Sequence, residues 1–115
     1  RRQRQMCIRD SIMRTLSHFG IPTTVKPAEA AYIEPLKVYV TDYGKSANKL
    51  EFLYFEPDSP MHELMKTRAH VAYDVPCLKC ELEGAKVLLE PLDCGDMTIA
   101  FVEEEGIAIE LIERH

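Results

Sequence analysis

This 115-residue chain is short of positive charge, of cysteine and of long apolar runs, and each shortage removes a class of function. Lys and Arg number 14 against 19 Asp and Glu, for a formal net charge of −5. Phosphate backbones are gripped by a basic face, so nucleic acid is excluded as the main partner. No apolar stretch approaches the ~18 residues that span a bilayer, so no membrane insertion is expected. With no secretory signal visible, the expected address is cytoplasmic.

Residues 1–11 match the translation of a common transposase sequencing adapter and are set aside from fold reasoning as an artefact. Met13, just ahead of the first strand pattern, is the expected start. Removing the +3 carried by those eleven residues leaves a chain of net charge −8. Residues 12–115 suffice for one domain with a real core, but not for two. Three cysteines remain, Cys77, Cys80 and Cys94, and an odd number without a secretory signal does not make a disulfide framework. Cys77 and Cys80 have the spacing of a zinc or redox pair. A structural zinc site needs four ligands, however, and only Cys94 offers a third, so these read as ordinary thiols on a short helix.

What the chain does contain is a repeat. The first copy opens with Ser17-His18-Phe19-Gly20-Ile21-Pro22, passes through Ile33-Glu34-Pro35-Leu36 and closes with Lys49-Leu50-Glu51-Phe52-Leu53. The second opens with Ala69-His70-Val71-Ala72-Tyr73, passes through Leu89-Glu90-Pro91-Leu92 and closes with Ala108-Ile109-Glu110-Leu111-Ile112. Each copy thus carries one His near its start and one Glu near its end, as expected of one metal site built across a pseudo-twofold axis.

Strand signals dominate both copies. In the first, residues 15–22 form a strand, 25–30 hold at most a turn or two of helix interrupted by Pro27, and 31–41 form two strands broken at Glu34-Pro35. A turn cluster at 43–48 leads to a strand at 49–55. Asp58-Ser59-Pro60 announces a short helix ending near Thr67, with Ser59 as cap and Pro60 in its first turn. The second copy reads as a strand at 68–75, a brief helix at 77–83 ended by Gly84, and strands at 86–92, 97–103 and 107–112. Each unit is therefore β, short α, β, β, β: an α+β fold of two βαβββ modules, 15–56 and 68–115, joined by a helical linker, 57–67.

Side chains alternate along a strand, so His18 shares a face with Leu16 and Gly20, His70 with Ala72, and Glu110 with Ala108. Small neighbours leave open volume beside polar groups, while Phe19, Val71, Tyr73, Ile109 and Leu111 fill the other face. A lone strand His is usually a surface or hydrogen-bonded core residue. Glu51 and Glu110, however, lie among large apolar residues, where an unpaired carboxylate costs on the order of several kcal/mol that a metal ion would offset.

The stretches His18-Phe19-Gly20-Ile21, Lys49-Leu50-Glu51-Phe52, the run from Arg68 to Val75, and Ile109-Glu110-Leu111-Ile112 resemble the vicinal oxygen chelate superfamily. That superfamily includes glyoxalase I, methylmalonyl-CoA epimerase, extradiol dioxygenases and the bleomycin and fosfomycin resistance proteins. The resemblance implies a half-open barrel around a cleft, with His18, Glu51, His70 and Glu110 as metal ligands. Such a donor set suits a divalent Zn, Ni, Co, Fe or Mn ion. It further implies a lyase or isomerase that removes a proton beside a carbonyl to give a metal-stabilised enediolate. Glu110 or Glu51 would be the base, with Glu110 favoured for its open face. The alternatives are a ligand-sequestering protein of the bleomycin-resistance type and a ring-cleaving dioxygenase. The partners expected are a small-molecule substrate and a second copy in a homodimer, for which Phe52, Tyr54 and Met61 offer a surface stripe. The segment from Glu56 to Pro60 is similar to the linker of the epimerases. The third strand, residues 36–40, lacks the acidic residue expected there, and the helices are too short to show a grip on glutathione or coenzyme A.

The remaining polar residues read plainly: His62 as solvated, His115 as frayed, Asp74 as an exposed strand end or a partner to the ligands, and Tyr39 and Tyr73 as packing residues.

Overall fold

The computed structural model describes residues 13–115, so the adapter reading of residues 1–11 lies outside the described residues. The β-rich segments form eight strands: β1 (Thr15–Pro22), β2 (Ala31–Ile33), β3 (Val38–Val40), β4 (Leu50–Phe55), β5 (His70–Asp74), β6 (Lys86–Asp93), β7 (Met97–Glu104) and β8 (Ile107–Arg114). Two short helices intervene, α1 (Glu63–Thr67) before β5 and α2 (Leu78–Leu82) before β6. All strands join one curled mixed sheet in the order β2-β3-β4-β1-β5-β8-β7-β6. Outward from the central antiparallel β1–β5 pair, both halves run alike: a parallel neighbour (β4, β8), then two antiparallel strands.

The strand order repeats, but the expected helix of the first unit is missing. Residues 23–30 hold only bends. Thr23 Oγ1 accepts from the Val25 N–H at 3.2 Å, a local turn that competes with helix, and Pro27 has no N–H to continue one. The corner between β2 and β3 is a single tight turn, Glu34–Leu36, after which Lys37 reverses the chain at φ 50°.

Helix α1 also starts later than Ser59 and Pro60 suggest. Its cap is His62, whose Nδ1 accepts from the Leu64 N–H at 3.1 Å, so His62 is structural. Ser59 instead donates to the Leu36 carbonyl at 2.6 Å and accepts from the Met61 N–H at 3.3 Å, pinning the linker to the β2–β3 corner. Cys77 caps α2, its sulfur accepting from the Cys80 N–H at 3.2 Å. Among the described residues, the three thiols form no metal-ligating group. Nor is His115 frayed: its ring reaches Thr98 Oγ1 at 2.7 Å and the Gly95 carbonyl at 3.0 Å.

The core has two parts. Inside the curl, Val38, Leu53, Met61, Met65, Phe101 and Ile112 pack together. Met61 is thus a core residue and not part of a surface stripe, although Phe52 remains 39% exposed. On the outer face of the second half, Leu78 of α2 covers Ala100, Val102, Ile109 and Leu111. No described helix is long and apolar enough to cross a membrane.

Met65 is 1% exposed and anchors α1 against the inner cluster. Met65→Ala is expected to lower stability by about 2–5 kcal/mol, read as a fall in the urea midpoint at constant slope. An unchanged midpoint would show that α1 contributes nothing to the core.

Candidate metal centre

The centre is built from backbone register. Across the β1–β5 seam His18 lies opposite Ala72 and Gly20 opposite His70. The flanking parallel pairs set Glu51 beside Gly20 and Glu110 beside Ala72. One row across the sheet therefore reads Glu51, Gly20, His70, and the next reads His18, Ala72, Glu110. The His70 ring lies over Gly20 and reaches Glu110 of its own half, while His18 reaches a carboxylate from each half, Glu51 and Glu110. A Cβ at Gly20 would lie 2.1 Å from His70 Cε1, so the closeness of that ring requires glycine.

One detail of this register departs from simple alternation. Leu16 pairs with Tyr73 while His18 pairs with Ala72, so the ladder slips by one residue at Ser17. The bulge moves Leu16, 38% exposed, to the face of Tyr73 and off the face it was expected to share with His18. It also buries Ser17, whose Oγ lies 2.9 Å from His18 Nδ1. With Nδ1 so engaged, Nε2 is the nitrogen that faces the carboxylates.

His18 Nε2 lies 3.4 Å from Glu51 Oε1 and 3.5 Å from Glu110 Oε1, and His70 Nε2 lies 3.1 Å from Glu110 Oε1. One donor atom from each of the four residues falls within 4.8 Å of all the others. Donors held about 2.1 Å from one tetrahedral ion lie roughly 3.4 Å apart, close to the three contacts of 3.1, 3.4 and 3.5 Å. His18 Nε2 is buried and close to two carboxylates, yet it makes no hydrogen bond. The donor set therefore fits a divalent cation.

The charges are unequal. Burial disfavours a charged His18, but Glu110 and Glu51 outweigh it and push the imidazole up to about 10. Burial also acts against the Glu110 carboxylate, and contacts with both histidines overcome it, lowering the group to about 2. Burial wins at Glu51, raising its proton affinity despite the contact with His18.

Sequence reasoning missed Tyr43, since it lies in the turn between β3 and β4. Its ring stacks on His18, with centroids 3.9 Å apart and planes 14° from parallel. Its hydroxyl accepts from Arg114 Nη2 at 3.2 Å, and Arg114 Nε donates to Asp74 at 2.7 Å. Asp74 thus reaches the centre indirectly. Phe101 packs edge-on to His70 at 5.0 Å. Tyr39 packs between Tyr32 and Tyr54, and Tyr73 lies under the Arg14 guanidinium. His18, Tyr43, Glu51 and Glu110 open onto a cavity of about 470 Å³ with largely aliphatic walls, among them Ile33, Leu92, Ile99 and Ile112.

No protein-family profile matches the sequence, and no curated protein matches it. Solved structures do share the fold. Methylmalonyl-CoA epimerase from Mycobacterium tuberculosis superposes with a TM-score of 0.61 at 15% identity, over 88% of this chain and 88% of that one. A hypothetical protein from Bacillus halodurans C-125 gives 0.57 at 17% identity, over 89% of this chain and 95% of the other. At these identities the likeness is one of fold alone.

Gly20→Ala should displace the His70 ring and cost about 10- to 100-fold in affinity for a divalent ion by calorimetry. Parent affinity in that variant would show that the ring does not depend on glycine. Because His18 holds a proton up to about pH 10 in the metal-free protein, ion binding must displace it. Affinity should therefore rise with pH below that value, about tenfold per unit for one displaced proton. A pH-independent affinity would show that no proton leaves His18 when the ion binds.

Proposed function

We propose that this chain is a metal-dependent lyase or isomerase of the vicinal-oxygen-chelate type, which removes a proton beside a carbonyl of a small molecule, with Glu51 as the base. The observation that carries this reading is the inequality of the two carboxylates around His18. Glu110 is held by both histidines and kept ionised, which suits a fixed ligand. Glu51 has a single partner, lines the cavity and has its proton affinity raised by burial, which suits a group that must take up a proton and release it.

A bound divalent ion would act as a Lewis acid towards neighbouring substrate oxygens. The protein's own residues supply the rest. Glu51 takes a proton from the carbon beside the carbonyl and returns it to that carbon or to its neighbour. Tyr43, stacked on His18 and tethered by Arg114, keeps the imidazole from rotating. The aliphatic walls shed water from the carbon being deprotonated, which strengthens the electrostatics there.

Proton exchange with deuterated water at the carbon beside the carbonyl, followed by NMR on hemithioacetals and 2-hydroxy ketones, tests the assignment. Glu51→Gln is expected to slow exchange by about 10²- to 10⁴-fold with the ion still bound. Exchange at the parent rate in that variant would overturn the choice of base.

A further inference from the structure

We propose that the cavity selects cationic or uncharged ligands and rejects anionic ones, with Glu34 and Asp93 as the selecting residues. This rests on the reading of the site as a metal centre with a small-molecule substrate. A divalent ion held by Glu51 and Glu110 would have its charge balanced by those two carboxylates. The remaining charges then set the sign of the space that the ligand enters. Glu34, in the turn after β2, and Asp93, at the end of β6, both line the cavity and are exposed at its rim. Among the described residues, no Lys or Arg lines it. An adjoining depression shares Ala31, Val40, Tyr43 and Glu51 with the cavity, and there Lys45 is accompanied by Glu29 and Asp42. Arg114, the nearest cation behind Tyr43, is already engaged by Asp74.

A concave site with apolar walls concentrates the field of the charges at its mouth, so two unopposed carboxylates repel an incoming anion more strongly than they would on an open surface. Phosphate groups on a ligand would meet no cation to replace their hydration, and a carboxylate would fare no better. The ligand class that fits is a compact molecule with two adjacent oxygens, an apolar body and a neutral or positive tail. A phosphate-bearing carrier thioester does not fit, despite the fold shared with methylmalonyl-CoA epimerase.

Three catechols of matched size test this: one with an aminoethyl tail, one with a methyl group and one with a carboxylate. Their binding is measured by calorimetry at low ionic strength, to cobalt-loaded and to metal-free protein. The expected order is cation, neutral, anion, with roughly tenfold or more between the first and the last, shrinking as salt is added. Glu34→Gln combined with Asp93→Asn should narrow that ratio to about threefold or less. The Asn keeps an oxygen able to accept from the Gly95 N–H, as Asp93 does at 2.8 Å, so the hairpin is preserved. Equal affinities, a preference for the anion, a ratio unchanged in the double variant, or no binding in either form would each overturn the selection. A separate cobalt titration reports on the metal reading itself. Absence of cobalt binding would sink that reading, while the order in the metal-free protein would still decide the selection.

Discussion

Everything at the centre depends on how closely two imidazole rings can lie over the β1–β5 seam. Gly20 leaves the room in which the His70 ring lies across the neighbouring strand, and Ala72 is the small residue paired with His18. Larger side chains would lift the rings away from the carboxylates on β4 and β8, and the donor atoms would no longer fall within 4.8 Å of one another. The rest of the fold holds that seam in register. The inner cluster and α1 close one end of it, and α2 backs the second half from outside.

Much of this was legible in the sequence because strand side chains alternate without exception in regular stretches. Glu51 and Glu110 sit in uninterrupted strands, and the period of two places them on the inner face with His70. The same rule misplaced Leu16, since the bulge at Ser17 is created by pairing with β5, which local sequence does not encode. The helix expected near Pro27 failed for a related reason: the repeat implied a second copy of α2, but Thr23 and Pro27 divert the chain into bends. Tyr43 was invisible because its position comes from a turn capped by Asp42, whose carboxylate accepts from the Gly44 N–H at 2.8 Å. Nothing in a turn's composition indicates that its ring will reach a residue on β1.

The two halves are unequal around a shared strand order. In the second, α2 shields the outer face of the sheet; in the first no helix among the described residues does so, and Phe52 and Tyr32 are 39% and 42% exposed. The donors are treated unequally too. Burial leaves Glu51 readier to take a proton, whereas two histidines hold Glu110 as a carboxylate. A symmetric arrangement of residue types thus yields an asymmetric arrangement of charge.

The palindromic strand order carries a geometric consequence. Each half supplies one imidazole and one carboxylate at corresponding register positions, and the two half-sheets are joined by the β1–β5 pair. Two identical half-length chains, joined back to back along their first strands, would already assemble a complete set of four donors. One continuous chain lets two halves that share a strand order differ in sequence, so the two carboxylates meet different surroundings.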